Sequence, residues 1–310
     1  MDRNSQFYAQ VQLLVRVLPF VAKEQCFALK GGTAINLFVR DLPRLSVDID
    51  LTYLPLESRE DSLRHVHEAL GRIAADLRQA LPGCSVVESY QDAEDSLRLT
   101  VRQSGATIKI ELSPVLRGSV TDPVLRTVSE TVEREFGFAE MQVLDLPDLY
   151  GGKICAALDR QHPRDLFDVK LLLQNEGLTD AIRKAFLVYL ISHPRTMHEL
   201  LRPTRKDLGR LYEQEFSSMT TAPVTQTELE QVREALIAAI SSGLTIDEKR
   251  FLLSFKAEQP EWALLGLSDI EKLPAVRWKL QNLAKLSDAR RQDLVGKLQE
   301  ALGLIAAQNR

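Results

Sequence analysis

The run Ser46-Val47-Asp48-Ile49-Asp50-Leu51 sets two carboxylates one residue apart in an otherwise apolar stretch. Strand side chains alternate between faces, so Ser46, Asp48 and Asp50 share one face while Val47, Ile49 and Leu51 pack the other. Two anions side by side repel unless a proton or a cation lies between them. A metal ion is the simplest such cation. Upstream stands Lys30-Gly31-Gly32-Thr33, a glycine turn where the backbone can approach a phosphate and the Thr33 hydroxyl can donate to it. Together these parts suit a metal ion that carries a substrate's phosphates.

A later run repeats the alternation. In Thr107-Ile108-Lys109-Ile110-Glu111-Leu112 the polar residues fall on one face and Ile108, Ile110 and Leu112 on the other. If the two strands are neighbours in one sheet, Glu111 approaches Asp48 and Asp50. A metal set of Asp48, Asp50 and Glu111 suits Mg2+, with Mn2+ as the alternative, because a hard ion takes oxygen ligands and keeps waters and substrate phosphates. Singly, each signal has a plainer reading. The carboxylates can be the wet face of a half-exposed sheet, and the glycines a tight strand-to-helix turn. The combination carries the expectation.

Periodicity predicts the elements that must hold these residues. Apolar positions at helical intervals (Phe7, Val11, Leu14, Val15, Leu18) predict a helix over residues 5–22. Phe27-Ala28-Leu29 reads as a short strand, residues 33–39 as a helix and residues 48–54 as the carboxylate strand. Residues 58–80 are helical and stop at Leu81-Pro82-Gly83. Strand-like runs follow at 85–90, 96–102 and 107–112, the last two joined by the hairpin turn Gln103-Ser104-Gly105-Ala106. From Leu146 onward nearly everything reads as amphipathic helix broken by prolines. The expected fold class is α+β: a core domain over residues 1–145 with a mixed sheet, then an α-helical domain over residues 146–310.

With 310 residues and 45% of them hydrophobic, the chain has material for one large domain or two ordinary ones. A net charge of -4 excludes a polycation, so any nucleic-acid contact must come from a local patch. The polar start (Met1, Asp2, Arg3, Asn4, Ser5, Gln6) lacks a secretion signal, and no apolar run approaches the roughly 18 residues that cross a bilayer. Cys26, Cys84 and Cys155 are far apart and read as buried thiols without zinc spacing. These features predict a cytoplasmic protein with no membrane partner. His65, His67, His162, His193 and His198 accompany no nucleophile elbow and read as lone surface histidines.

Gly31-Gly32-Thr33, a helix, Asp48-x-Asp50 and an acidic residue on a later strand resemble the DNA polymerase β-type nucleotidyltransferase superfamily. More narrowly, Lys30-Gly31-Gly32-Thr33-Ala34-Ile35-Asn36-Leu37 and Arg44-Leu45-Ser46-Val47-Asp48-Ile49-Asp50-Leu51 resemble the AbiEii/AbiGii toxins, a family that includes the MenT toxins. Lys153-x-x-Ala156, Arg160 and Pro163-Arg164-Asp165-Leu166-Phe167-Asp168 are similar to that family's downstream lysine and arginine–aspartate motifs. The resemblance implies a polymerase β-type core and the toxin half of a type IV toxin–antitoxin or phage-defence system. It implies an NTP substrate, transfer of its nucleotide to a tRNA 3′ end or another RNA acceptor, and a separately encoded winged-helix antitoxin. It implies Asp48, Asp50, Lys153 and Asp165 as catalytic residues. Gly31, Gly32, Thr33, Ser46 and Arg160 are expected to bind the nucleotide, although the Ser46 hydroxyl can equally pack beside the sheet.

Lys153 and Arg160 lie about two helical turns apart and share a face, the one a point charge and the other a two-pronged donor for phosphate oxygens. Gly151-Gly152-Lys153 lacks the remaining residues of a Walker loop. Pro163 suits a first helical turn, which puts Asp165 near a helix N-terminus, placed to hold Lys153 or Arg160. Asp168 follows one turn later, either supporting that arrangement or making a surface pair with Arg164. Residues 183–210 carry Arg183, Lys184, Arg195, Arg202, Arg205, Lys206 and Arg210 against Glu199 and Asp207, a track for an RNA backbone or a solvated helical face. Two other classes use the same residues: a small-molecule, antibiotic-type nucleotidyltransferase, and a catalytically idle RNA-binding protein. Intact Asp48, Asp50, Lys153 and Asp165 argue against the idle form.

Overall fold

In the computed structural model, which describes residues 3–304, the Ser5 hydroxyl accepts the Tyr8 amide and opens helix α1 (Gln6–Val21), whose stripe Val11, Leu14, Val15 and Leu18 is buried. Met1 and Asp2 of the polar start, and residues 305–310 of the expected helical stretch, lie outside the described residues. Strand β1 (Phe27–Lys30) runs into a helical turn α2 (Gly31–Thr33) that continues as a π-helical stretch, Ala34–Val39. Strand β2 (Asp48–Tyr53) is followed by α3 (Arg59–Ala80), capped by the Ser58 side chain on the Asp61 amide. Then come β3 (Ser85–Glu88), β4 (Arg98–Gln103) and β5 (Ala106–Leu112). Ser104 and Gly105 join β4 to β5 with φ of 50° and 82°. Two successive left-handed residues are what a two-residue hairpin turn needs to match strand twist.

Three elements escape the periodicity: β6 (Val124–Thr127), α4 (Glu130–Phe136) and β7 (Glu140–Val143). Each is too short for a pattern to accumulate, and β6, at the sheet's edge, buries none of its residues. The seven strands form one mixed sheet in the order β3-β4-β5-β2-β1-β7-β6, parallel where β2 meets β5 and β1 meets β7. Leu99, Val101, Ile108, Ile110, Ile49 and Leu51 line one face, on the side that α1 and α3 pack against, and all are buried. Burying each such side chain is worth about 1.5–3 kcal/mol relative to exposure. The hydrophobic face thereby fixes which residues the other face displays.

The chain divides into two compact units. The first, through Leu149 together with Glu213–Val224, holds the sheet. In its returning segment the Met219 carbonyl accepts the Leu45 amide (2.8 Å) and Thr221 donates its amide to the Pro43 carbonyl (3.0 Å). The second unit, Tyr150–Tyr212 and Thr225 onward, is helical. It holds α6 (Pro163–Asn175), α7 (Asp180–Ser192), α8 (Met197–Leu201), the start of α9 (Gly209–Glu215), α10 (Gln226–Gly243), α11 (Ile246–Lys256), α12 (Pro274–Ala284) and α13 (Asp288–Ala301). It also takes most of α5 (Leu146–Asp159). Reciprocal capping boxes, Thr225 with Glu228 and Thr245 with Glu248, set the starts of α10 and α11.

Two expectations need correction. Cys155 is buried, but Cys26 and Cys84 are only half-buried, because they flank strands rather than fill the core. His162 is buried and caps α6 by accepting the Arg164 amide, while His65 is hydrogen-bonded to Glu57. His193 likewise accepts the Arg195 amide and faces Asp159, and His67 stacks on Tyr90, so these four are structural groups, not lone surface histidines. Among the described residues, no helix is long and apolar enough to cross a membrane.

Candidate active site

The open face of the sheet arranges its charges by strand register. Lys30 on β1 is opposite Asp50 on β2, Asp50 is beside Glu111 on β5, and Glu111 is opposite Arg98 on β4. The row across four strands therefore reads cation, anion, anion, cation. Asp48 stands two residues before Asp50 on the same face, and its neighbour on β5 is Lys109. Asp48, Asp50 and Glu111 are all half-buried.

The glycine turn is seated against this row. Gly31 has φ +73°, and a Cβ there would stand 2.5 Å from Asp50 Oδ2, so a side chain would be both strained and blocked by the carboxylate. A Cβ on Gly32 would meet Arg44 Nη2 at 2.7 Å and Ser46 Oγ at 2.9 Å. Thr33 donates its hydroxyl to the Asp48 carbonyl oxygen (2.5 Å) and lies 3.1 Å from Ser46 Oγ. Its one donor thus pins the turn to β2. Ser46 is likewise buried beside it.

Sequence reasoning missed two residues that shape this turn. Arg44, 1% exposed, donates from Nη1 to the Leu45 carbonyl (2.9 Å) and lies against Gly32. Asn36, fully buried, donates from Nδ2 to the Gly32 carbonyl (2.9 Å). The available signal was a lone cation and a lone amide inside otherwise apolar runs (Leu42 to Leu45 and Ala34 to Val39), since such groups are buried only when hydrogen-bonded.

The expected third metal ligand is turned elsewhere. Glu111 Oε1 forms an ion pair with Arg98 Nε, its opposite number on β4. Among the described residues no three His, Cys, Asp or Glu side chains converge as a metal site. Asp48 and Asp50 alone still fit magnesium, which binds through one or two carboxylates, waters and substrate phosphates rather than an all-protein cage.

The helical unit holds a second charge cluster. Lys153 Nζ lies 2.9 Å from both Asp165 Oδ1 and Asp168 Oδ2. The lysine is 6% exposed and both aspartates are fully buried, so Asp168 is no surface residue. Arg160, 57% exposed, forks onto Asp165 with Nε–Oδ2 at 2.5 Å and Nη2–Oδ1 at 2.9 Å. Burial alone would raise the Asp165 carboxyl, but the Lys153 charge and the Arg160 hydrogen bond outweigh it and hold the group well below the usual carboxylate range. Gly151 serves packing: a Cβ there would stand 2.8 Å from the Ala185 carbonyl carbon of α7.

Much of the basic segment 183–210 is neutralised within its own unit. Arg183 pairs with Glu248 and Asp180, Lys184 with Asp180, Arg195 with Asp159 and Glu199, and Arg205 with Glu234. Those pairs engage four of the seven cations on which the expected RNA track rested.

Comparison with known proteins bears on the family and the fold. The family profile described as nucleotidyl transferase AbiEii toxin, type IV TA system, matches residues 12–282. Among solved structures the fold is similar to MenT4, a nucleotidyltransferase toxin from Mycobacterium tuberculosis. The TM-score is 0.60 at 15% sequence identity, covering 91% of this chain and 95% of that one. No curated protein matches.

Proposed function

The chain belongs to the AbiEii family of nucleotidyltransferase toxins of type IV toxin–antitoxin systems, and from that premise we propose that it transfers a nucleotide from an NTP to the 3′ end of an RNA, a tRNA in the first place. The observation that carries this reading is the seating of the Gly31 turn against Asp50, on the face that also bears Asp48. The glycine turn receives the triphosphate, and the two carboxylates stand beside it.

In the reaction the acceptor hydroxyl oxygen attacks the α-phosphorus, the bond to the β-phosphate's bridging oxygen breaks, and pyrophosphate leaves. The hydroxyl proton passes to the Asp48–Asp50 face. Asp48 and Asp50 would hold Mg2+ or Mn2+, which when bound would neutralise charge on the triphosphate and ease deprotonation of the hydroxyl. Arg98 draws Glu111 away from a ligand role and balances its charge beside Asp50. Arg44 and Asn36 hold the turn so that its amides stay aimed. Positioning and charge compensation supply the catalysis. For Lys153, Asp165 and Arg160 the reading rests on the downstream motifs shared with the family, with Asp165 and Asp168 holding the lysine in one place.

The implied partner is a separately encoded antitoxin of the winged-helix type, and the implied setting is the cytoplasm, where charged tRNA is made. Incubating the purified protein with total tRNA and each α-labelled triphosphate, with and without chelator, tests the reading. Metal-dependent label on the tRNA 3′ end is expected. Label confined to small-molecule acceptors, or no label with any triphosphate, contradicts it.

A further inference from the structure

The face that carries Asp48 and Asp50 continues beyond Glu111, away from the glycine turn. Asp48 is beside Lys109, Lys109 is opposite Thr100, and Thr100 is opposite Val87. In the next row Arg102 stands between Thr107 and Ser85. Lys109 and Arg102 are exposed. Among the described residues neither side chain has a hydrogen-bond or ion-pair partner. The register makes the two diagonal neighbours, at roughly 7–8 Å between their backbones. The other face of these strands is buried core, so the two cations do no packing work.

Strand order assigns this surface a side. Strand β2 lies between β1, which leads into the glycine turn, and β5, which carries Lys109. A triphosphate in the turn approaches Asp48 and Asp50 from the β1 side. An in-line displacement brings the incoming hydroxyl from the side opposite the leaving group, which is the β5 side. We propose that the open face of β5 and β4, centred on Lys109 and Arg102, holds backbone phosphates of the RNA acceptor's terminal nucleotides. This rests on the reading above that the acceptor is RNA. The charge fits a polyanion: two cations without partners, next to the reacting carboxylates, where the 183–210 segment has spent most of its charge on internal pairs.

The double variant Lys109→Gln/Arg102→Gln, in the full chain, tests this. Both residues are exposed on strands, so its melting temperature should match wild type. Affinity for total tRNA, followed across a salt series, should fall at least about tenfold. The slope of log K against log salt should become shallower by about 1.4, for two lost phosphate contacts at about 0.7 each on a single strand. Binding of labelled triphosphate should change less than about twofold, and Lys109→Arg/Arg102→Lys should restore the slope. A variant that binds tRNA with the wild-type affinity and slope overturns the proposal. Equal loss of triphosphate binding also overturns it, by placing the cations on the donor side. A wild-type protein that binds no RNA yet labels another acceptor overturns the RNA reading itself, and is told apart because the wild type fails along with the variant.

Discussion

On the sheet, Asp48, Asp50 and Glu111 stand half-buried on an open face between Lys30 and Arg98, whereas in the helical unit Asp165 and Asp168 are fully buried and closed around Lys153. Both clusters are aspartate-rich, and register or helical spacing assembles both. They differ in what is left over. The sheet cluster carries more anion than cation and faces outward, so it can take a metal ion and phosphates. The helical cluster balances two carboxylates with Lys153 and Arg160 and seals the lysine away. Openness lets charge act on a substrate, and closure fixes a side chain's place.

The sharpest way to break that contrast is to remove one wall of the closed cluster. Asp168→Ala leaves Lys153 buried with half its compensation, and should cost about 3–5 kcal/mol in urea unfolding. Asp50→Ala, on the half-exposed face, should cost far less. Equal losses would erase the distinction. Because the Asp165 carboxyl is held below its unfolded value, its contribution is present above about pH 4 and is lost only as pH falls through the lower folded value. Stability between pH 4 and 7 should therefore show no titration from it.

A smaller effect sits elsewhere in the helical unit. Lys256 is 3% exposed, without a hydrogen-bond or ion-pair partner among the described residues. Burial, then the charges of Lys279 and Arg290, push its ammonium down to about 8, with Glu199 opposing. The unfolded chain takes up this proton at higher pH than the folded one. Stability should thus rise as pH climbs from about 8 to about 10, by about 3 kcal/mol at 1.36 kcal/mol per unit. Lys256→Met should be more stable at neutral pH and lose that slope. A buried charge without closure is expected to be a liability, so a destabilised Lys256→Met would contradict the view that closure is what makes the Lys153 cluster tolerable.

Smaller again is a paired glycine test. Gly31 and Gly177 have φ of +73° and +70°, but only a Cβ at Gly31 meets a neighbour. Each alanine variant should lose about 1–2 kcal/mol from the left-handed backbone. Only Gly31→Ala should also lower nucleotide transfer, by displacing Asp50. Smallest is Arg205→Gln, which breaks a solvent-exposed pair with Glu234 and should change stability by no more than about 1 kcal/mol, with the salt slope of RNA binding intact.

Strict alternation made the carboxylate strand and its partner legible before any coordinates, and with them the pairing of Asp50 with Glu111 on one face. The long helices α1 and α3 were equally plain, since many turns repeat the same apolar stripe. The acceptor of the Thr33 hydroxyl, the Asp48 carbonyl, is backbone and leaves no mark on sequence. The Glu111 ion pair escapes the sequence because Arg98 becomes its neighbour only through the β4–β5 hairpin. The basic run 183–210 looked like a surface for RNA because its acidic partners Asp159, Glu234 and Glu248 lie outside the window. Charge read over a short stretch of chain overlooks compensation from distant segments.

The central claim is that the open sheet face does the chemistry, and Asp48→Ala tests it most directly. Purified variant and wild type would be compared for label transferred from α-labelled triphosphate to tRNA in magnesium, with thermal melts alongside. The account predicts transfer reduced by at least about a thousandfold and an unchanged cooperative melt. A folded Asp48→Ala protein that transfers label within about tenfold of wild type would contradict it.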